Sequence, residues 1–416
     1  MSTATVTRPA GTRRPHPVAP NPEVSPLVRT PTRLLLICSL LVVSVVAWRK
    51  GAYYSGGADA VVVAKAMMSM VALGLTATAP RRGASWERLR AGLVPWFGLY
   101  LTIGCIGALL HGSGPPTVVL AIRVGLLGAT IVLLFRAYPR HQVLSALTTA
   151  MLLLAGVGTA TGLGSIAAEG RLYGGIPPLN ANEIALLVSV PLVVLAWRAV
   201  HRVALTREVL VVPVLLGVLL LTGTRTGLVA VLLAITLVVV MAPRIPLPAF
   251  CLGVVAVPAL LYLVLFSPYF DSYATRGDSA SLLTLNSRTV AWTAALDYPD
   301  TLTERLFGVG LSVKQIPVSA QYRTEQILDS TWMSAIVQTG VLGVVTLALL
   351  VVVTLLRALA LAPPYRSLTV AVLLMILIIS FLESGLFDSS VAFIAFFGFA
   401  FVAQEATGRH PRGAPS

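Results

Sequence analysis

Residues 116–136 read PTVVLAIRVGLLGATIVLLFR and have the length and composition of a membrane-spanning helix. Such a helix needs about 20 predominantly apolar residues, and an ionisable residue inside one is rare. Apart from the arginine at its end, this stretch carries one charge, Arg123. We therefore interpret it as a transmembrane helix, and the number of similar stretches decides the fold.

Stretches of this kind recur along the whole chain. Only 11% of the 416 residues are charged, whereas a soluble domain carries about 25% charged residues. We predict an all-α, polytopic integral membrane protein with about twelve transmembrane helices. The predicted spans are 34–48, 60–78, 91–111, 116–136, 142–163, 181–200, 206–222, 225–241, 247–267, 331–357, 367–384 and 388–404.

The positive charges predict how these spans are oriented. Lys and Arg collect in alternate short loops, and cytoplasmic loops carry the excess of positive charge. Both termini are therefore predicted to be cytoplasmic. We predict a disordered, basic, Pro-rich tail over 1–33, a membrane domain over 34–405 and a second cytoplasmic tail over 406–416. The net charge of +14 is spread over the loops, which favours this topology over nucleic-acid binding.

Two predicted extracytoplasmic loops, 164–180 and 268–330, stand apart from the other, short connections. A loop longer than about 15 residues without secondary structure of its own is usually functional or disordered. We therefore expect the function to face the outer side of the cytoplasmic membrane, with part of the site in loop 268–330.

Three arginines, Arg171, Arg225 and Arg288, are predicted on this outer side, against the charge rule. A positive charge kept at an outer membrane surface suggests a bound anion, and in so apolar a chain we expect the phosphate of a lipid-linked substrate. Arg171 precedes Asn180 and Asn182, which begin the sixth span, and a helix start is a ready anion site. The alternative is that one asparagine only caps the helix and that Arg171 is a solvated loop residue.

Arg225 lies in the sequence LTGTRTG (221–227), which joins the seventh and eighth spans by a tight turn. The arginine falls at a helix N-terminus, where the helix dipole disfavours a cation. A bound anion would account for this placement, and snorkelling of the side chain to the interface is the alternative.

The long loop supplies the other candidate residues. The spacing of Val290, Trp292, Ala295 and Leu296 after Arg288 suggests an amphipathic helix that lies on the membrane or on the bundle. The sequence LFGVG (306–310) then predicts a turn. Asp329 opens the tenth span, either as an N-cap or as a general base that faces the same outer cavity.

Lys65 and Arg123 lie inside predicted spans, near their outer ends. Charges inside a membrane are costly and indicate a functional site, although both side chains could also snorkel to the interface. If they face inward, they extend a basic, substrate-binding pocket into the outer leaflet.

These motifs, in this order, resemble the O-antigen ligase and O-antigen polymerase superfamily. The matching stretches are Gly170-Arg171 through Asn182, LTGTRTG at 221–227, Ser287-Arg288 with Trp292, LFGVG at 306–310, and Asp329 through Gly343. The resemblance covers roughly 165–355.

The resemblance implies transfer of a glycan from undecaprenyl pyrophosphate to an acceptor hydroxyl, with no metal and no other cofactor. Arg225 and Arg288 would hold the pyrophosphate, and Arg171 with Asn182 would support them. The partners would be the lipid-linked donor, a glycan or lipid-glycan acceptor, membrane lipid and other polysaccharide-export proteins. Ligases of the family carry a histidine where this chain has Asp329, so a polymerase or another glycan-transferring relative fits better.

Two other classes of protein remain open at this point. A secondary transporter also commonly has twelve spans, but it predicts two repeated halves and discontinuous helices near the midplane, and the sequence shows neither clearly. A non-catalytic lipid-glycan binding protein would have the same basic pocket without needing Asp329.

Overall fold

The structure is a computed structural model and describes residues 30–49, 59–80, 92–201, 204, 206–242, 284–320 and 323–406. Eleven of the twelve predicted spans correspond to helices in these ranges. The ninth predicted span, 247–267, lies outside the described residues, as do nearly all residues of the two predicted tails. The prediction of an all-α membrane protein is confirmed.

The described ranges contain fourteen helices and one β-hairpin. The helices are α1 Thr32–Val45, α2 Ala60–Ala77, α3 Leu93–His111, α4 Gly114–Ala137, α5 Arg140–Gly162, α6 Gly164–Glu169, α7 Ala181–Val200, α8 Thr206–Leu221, α9 Arg225–Val240, α10 Thr284–Asp297, α11 Leu302–Phe307, α12 Thr331–Leu359, α13 Tyr365–Ser380 and α14 Val391–Ala406; the hairpin is β1 Gln315–Ala320 with β2 Arg323–Ile327.

Six of these helices, namely α2, α3, α4, α5, α7 and α12, are long and apolar enough to cross a membrane. Four more, α1, α9, α13 and α14, are shorter apolar helices. The chain is therefore a multi-pass membrane protein. Its core includes a cluster of aromatic rings, in which the fully buried Phe393 and Phe397 of α14 pack against Phe97 of α3.

The helix ends gather at two faces of the bundle. At one face, Asn182 at the start of α7 bonds Glu383 after the end of α13, and we call this face the cavity end. At the opposite end, the indole nitrogen of Trp197 donates to the Pro364 carbonyl at 3.1 Å. Because successive long helices begin at alternate faces, residues far apart in sequence meet at the cavity end.

Helix α12 is broken at Gly340, which has a φ of 62° inside the helix. The break frees carbonyl groups from the helical ladder. The carbonyls of Val337 and Gln338 instead accept hydrogen bonds from the backbone N–H groups of Val309 and Gly310, at 2.9 and 3.0 Å. Irregular backbone at membrane depth persists only where the protein or water satisfies its polar groups. Here the sequence LFGVG satisfies them.

The close approach of this segment requires glycines on both sides. A Cβ at Gly107 of α3 would lie 2.3 Å from the Phe307 carbonyl oxygen, and one at Gly340 would lie 2.5 Å from the backbone of Leu306. The predicted turn at 306–310 is therefore a backbone segment inserted between α3 and α12.

The described parts of the long loop, α10 and the hairpin, pack on this segment. The predicted amphipathic helix exists as α10, in which Ala291 and Ala295 are buried against the protein and Leu296 is 58% exposed. The hairpin was not predicted from the sequence. Ile316 of β1 packs with Ala295 and with Val309 in a small core of its own.

Candidate functional site

A chain of hydrogen bonds at the cavity end brings Arg171 and Asn182 together. The Arg171 Nε donates to the Thr222 carbonyl at 3.0 Å, and its NH2 group donates to Asn182 Oδ1 at 3.4 Å. The Thr224 hydroxyl also donates to Asn182 Oδ1, at 3.3 Å. Asn182 therefore holds Arg171 beside the turn that precedes Arg225.

Arg225 is the first residue of α9, as the sequence predicts, and is half-buried. Thr224 occupies the N-cap position but makes no side-chain cap hydrogen bond. Its hydroxyl is bonded to Asn182 instead. The first N–H groups of α9 therefore lack the cap that a threonine usually provides, and this helix start keeps its capacity to bind an anion.

The start of α7 differs from the expected anion site. Asn180 is the N-cap, and it forms a capping box in which its side chain accepts from the N–H of Glu183 and the Glu183 carboxylate accepts from the N–H of Asn180. This arrangement places a negative charge at the helix start, which disfavours a second anion there. The cap interpretation is therefore correct for Asn180, whereas Asn182 is part of the network with Arg171.

Asp329 is not the N-cap of α12. That position belongs to Ser330, whose side chain makes no cap hydrogen bond. Asp329 is half-buried just before it. The first helical residue, Thr331, donates both its N–H and its hydroxyl to the Glu383 carbonyl, at 3.3 and 3.0 Å. The cap interpretation of Asp329 was wrong because the helix begins two residues later.

Arg288 lies on α10, and its side chain is outside the described part of the structure. The helix that carries it packs against α12 and β1. Through Ala295, seven residues after Arg288, this helix packs against Leu328 and Val337, on either side of the start of α12.

A cavity of about 750 Å³ opens at the same end. Lys65, Arg123 and Tyr173 line it, whereas Arg171, Asn182, Arg225 and Asp329 do not. The guanidinium of Arg171 lies 5.4 Å from the centre of the Tyr173 ring. Tyr173 therefore connects the arginine network to the cavity.

Lys65 and Arg123 both face inward, but they also have a structural role. Helix α1 ends at Val45, and the backbone beyond it is held by charged side chains. Arg123 donates to the Ser44 carbonyl at 2.8 Å, and Lys65 Nζ donates to the Val46 carbonyl at 2.6 Å. Glu183 accepts from the Ala47 N–H at 3.0 Å. These three side chains replace the hydrogen bonds that a longer α1 would make.

Lys314 and Asp388 form an ion pair on another side of the cavity, with 2.6 Å between Lys314 Nζ and Asp388 Oδ2. Burial raises the pKa of Asp388, but the Lys314 ammonium and the Ser389 N–H hold that pKa below its ordinary value. The pair therefore joins the long loop to the segment between α13 and α14 with both partners charged at neutral pH.

The acidic members of the site were not predicted from the sequence. Glu183, Glu383 and Asp388 each lie within or beside a predicted span, at its outer end. The signal that could have identified them is the rarity of ionisable residues at such positions. Among the residues that the structure describes, no group of three or more His, Cys, Asp or Glu side chains could hold a metal ion.

The helices and this polar end define a polytopic membrane protein with a charged site at one face of its bundle. The family model for O-antigen ligases matches residues 209–348, about a third of the chain. This match supports the resemblance to the O-antigen ligase and polymerase superfamily over that part of the chain. A comparison with curated proteins finds no match.

The matched region includes Arg225, Arg288 and Asp329, and it begins after Arg171 and Asn182. It also contains the segment at 306–310 and the break at Gly340. Members of the family are glycosyltransferase-like ligases and polymerases, which implies contact with lipid-linked glycan and with membrane lipid.

Proposed function

We propose that this protein transfers or polymerises an undecaprenyl-pyrophosphate-linked glycan onto an acceptor hydroxyl at the outer face of the cytoplasmic membrane. The product would be a capsule, exopolysaccharide or cell-wall polysaccharide. One observation carries the proposal. Asn182 accepts hydrogen bonds from both Arg171 and Thr224, and it thereby places Arg171 beside the uncapped start of α9, where Arg225 lies.

This arrangement suits a pyrophosphate leaving group. Negative charge grows on the bridging oxygen as the anomeric bond breaks, and fixed donors aimed at that oxygen stabilise the transition state. A guanidinium can hold two phosphate oxygens at once, and the N–H groups at the start of α9 add further donors. We assign leaving-group stabilisation to Arg225 and Arg288, and we assign a supporting role to Arg171.

Asp329 is the proposed acceptor of the proton from the attacking hydroxyl. It precedes α12 and is half-buried. Direct attack on the face opposite the pyrophosphate would form the new glycosidic bond, release the lipid pyrophosphate and invert the anomeric centre. No metal ion takes part in this scheme, because the arginines supply the positive charge.

The cavity provides space for a sugar unit next to Tyr173, whose ring lies 5.4 Å from the Arg171 guanidinium. Its volume of about 750 Å³ falls in the range of roughly 300–1,000 Å³ that is usual for ligand pockets. The Trp48 and Tyr173 side chains line it, and two of its cations, Arg49 and Lys314, are paired with acids. Paired charges and aromatic rings favour binding of a sugar, which is polyhydroxylated, over binding of another anion in addition to the pyrophosphate.

The broken helix α12 bears on the transporter alternative. In transporters, unwound backbone at midplane depth points at the transported ion or substrate. Here the carbonyls of Val337 and Gln338 are bonded to Val309 and Gly310. None of these four residues lines the cavity. The break therefore serves the packing of the long loop against α12. It is not evidence for a transport site.

The test is turnover of lipid-linked glycan in membranes that contain equal amounts of each variant. We expect Arg225→Ala and Arg288→Ala each to lower transfer by about 100- to 1,000-fold, and Asp329→Asn to lower it strongly. Transfer by the wild type should persist in the presence of a metal chelator. The matched control is Arg207→Ala, which removes an exposed arginine of α8 at the opposite end.

Full transfer by both arginine variants would rule out the pyrophosphate role. Full transfer by Asp329→Asn would remove Asp329 from the chemistry. Proteoliposomes that move glycan across the bilayer, without forming a new glycosidic bond, would establish the transporter alternative. The surface glycan of a deletion strain separates the two transferase types, because a ladder reduced to one repeat unit indicates a polymerase and unattached polymer indicates a ligase.

A further inference from the structure

Glu383 occupies a central position at the cavity end. It lies just beyond α13, and its N–H continues the last turn by donating to the Ile379 carbonyl at 2.9 Å. Its carboxylate accepts a hydrogen bond from Nδ2 of Asn182. Its carbonyl accepts two hydrogen bonds from Thr331. One residue therefore connects the ends of three helices, α7, α12 and α13.

Hydrogen bonds connect the side chain of Glu383 to the residue before Arg225. Asn182 donates to the Glu383 carboxylate with its amide nitrogen, and its amide oxygen accepts from Thr224 at 3.3 Å. Arg225 follows Thr224 in the chain. The same oxygen accepts from Arg171 at 3.4 Å. Two hydrogen bonds thus separate the carboxylate from the residue that precedes Arg225.

Hydrogen bonds also connect the main chain of Glu383 to Thr331, two residues after Asp329. Thr331 is fixed to the Glu383 carbonyl through both its N–H and its hydroxyl, and it is almost fully buried. The Thr331 hydroxyl also accepts from the Leu386 N–H at 3.4 Å. Asp329 lies two residues before this fixed point, so its backbone can shift little without breaking these hydrogen bonds.

Neither Glu383 nor Asn182 lines the cavity. Their side chains are bonded to each other, and Asn182 is also bonded to Arg171 and Thr224, so we assign both a positioning role. A hydrogen bond to an ionised carboxylate is shorter and roughly twice as strong as one between neutral groups. A carboxylate is therefore well suited to hold Asn182 in the one orientation in which its oxygen faces Arg171 and Thr224.

We propose that Glu383 is a positioning residue that fixes the leaving-group site at Arg225 relative to the proton acceptor Asp329. Its side chain positions Arg225 through Asn182 and Thr224, and its main chain positions Asp329 through Thr331. The inference rests on the proposed function. Orientation matters at such a site, because a misplacement of 1 Å can lower a rate by about 100-fold.

The experiment exchanges the two partners of the hydrogen bond. Asn182→Asp puts two carboxylates face to face, whereas Glu383→Gln keeps an oxygen that can accept from Asn182. In the double variant, the new glutamine amide can donate to the new aspartate, whose carboxylate can still accept from Arg171 and Thr224. The hydrogen bond is thus restored in the reverse direction.

We expect Asn182→Asp to lower kcat by about 100-fold and Glu383→Gln to lower it less. The double variant should recover about tenfold over Asn182→Asp alone. The KM for the lipid-linked donor should remain nearly unchanged, because the lost interaction orients groups in the transition state. Glu325→Gln, which changes an exposed carboxylate of β2, is the matched control and should keep full activity.

If Asn182→Asp fails to accumulate, Glu383→Ala replaces it and should show the same loss of kcat, with Glu383→Gln as its partial rescue. Full activity of Asn182→Asp or Glu383→Ala would overturn the positioning role. So would a double variant no more active than Asn182→Asp at equal expression and equal thermal midpoint. Wild-type membranes that transfer no lipid-linked glycan would instead reject the proposed function, and this inference with it.

Discussion

At the scale of single residues, the ion pair between Lys314 and Asp388 has a consequence for stability that depends on pH. The folded protein holds the pKa of Asp388 below its ordinary value, despite burial that raises it, because Lys314 lies beside it. A depressed carboxyl pKa stabilises the folded state fully above the unfolded value of about 3.9. The contribution is lost as the pH falls through the folded pKa.

We expect Asp388→Asn to lower the free energy of unfolding by about 1–3 kcal/mol at neutral pH, since it leaves the half-buried Lys314 with a neutral partner. The difference from the wild type should shrink on acidification below about pH 4. Thermal unfolding of both detergent-solubilised proteins, from neutral pH to below about pH 4, measures this difference in stability. Asp297→Asn, at an exposed position on α10, is the control, and a difference that stays constant with pH would contradict the role of the pair.

At the scale of elements, the break in α12 depends on the glycines that surround it. Gly340 has a positive φ of 62°, and a Cβ there would lie 2.5 Å from the backbone of Leu306. Both the conformation and the space therefore exclude a side chain. The neighbouring backbone cannot move away, because Val309 and Gly310 are bonded to α12.

We expect Gly340→Ala to destabilise the protein by more than the roughly 1–3 kcal/mol that backbone strain alone costs, because the steric clash adds to it. Gly98→Ala is the matched control, since a Cβ at Gly98 meets no atom within 4 Å. The alanine control should be neutral or slightly stabilising within a helix. Equal thermal midpoints for the two variants would show that the break is not required.

The helices could be predicted from the sequence, because the length and apolarity of a span are local properties. The break at Gly340 could not, because residues 306–310 impose it and nothing in the helix itself indicates it. The hairpin was missed for the same reason, since Ile316 is buried against residues distant in the chain, such as Ala295 of α10 and Val337 of α12. In the site, Arg225 was identified from its position at a helix start, whereas Glu383 was missed because its partner, Asn182, is 201 residues away.

At the scale of the whole molecule, the candidate site residues Arg171, Asn182, Arg225 and Asp329 lie at one end of the bundle, and the charge rule predicts that this end is extracytoplasmic. The prediction can be tested with single cysteines in a background that lacks the three native ones. Leu302→Cys places a thiol on α11 at a position that is 72% exposed. Arg207→Cys places one at an exposed position of the opposite end.

We expect a membrane-impermeant maleimide to label the cysteine at 302 in intact cells. The cysteine at 207 should react only after the cells are permeabilised. Both variants must also retain glycan transfer, which shows that labelling reports on the active topology. The reverse pattern of labelling would invert the predicted orientation and would place the site in the cytoplasm.

The early end of α1 has a consequence for how the protein is made. The backbone groups of residues 44, 46 and 47, at the end of α1, form hydrogen bonds with the side chains of Arg123, Lys65 and Glu183. The ribosome synthesises all three of these residues later than α1. The end of α1 therefore has none of these partners when the helix itself is synthesised. Its final partner arrives only with α7, 136 residues after Ala47. The hydrogen bonds that hold the end of α1 can thus form completely only after the start of α7 has been synthesised.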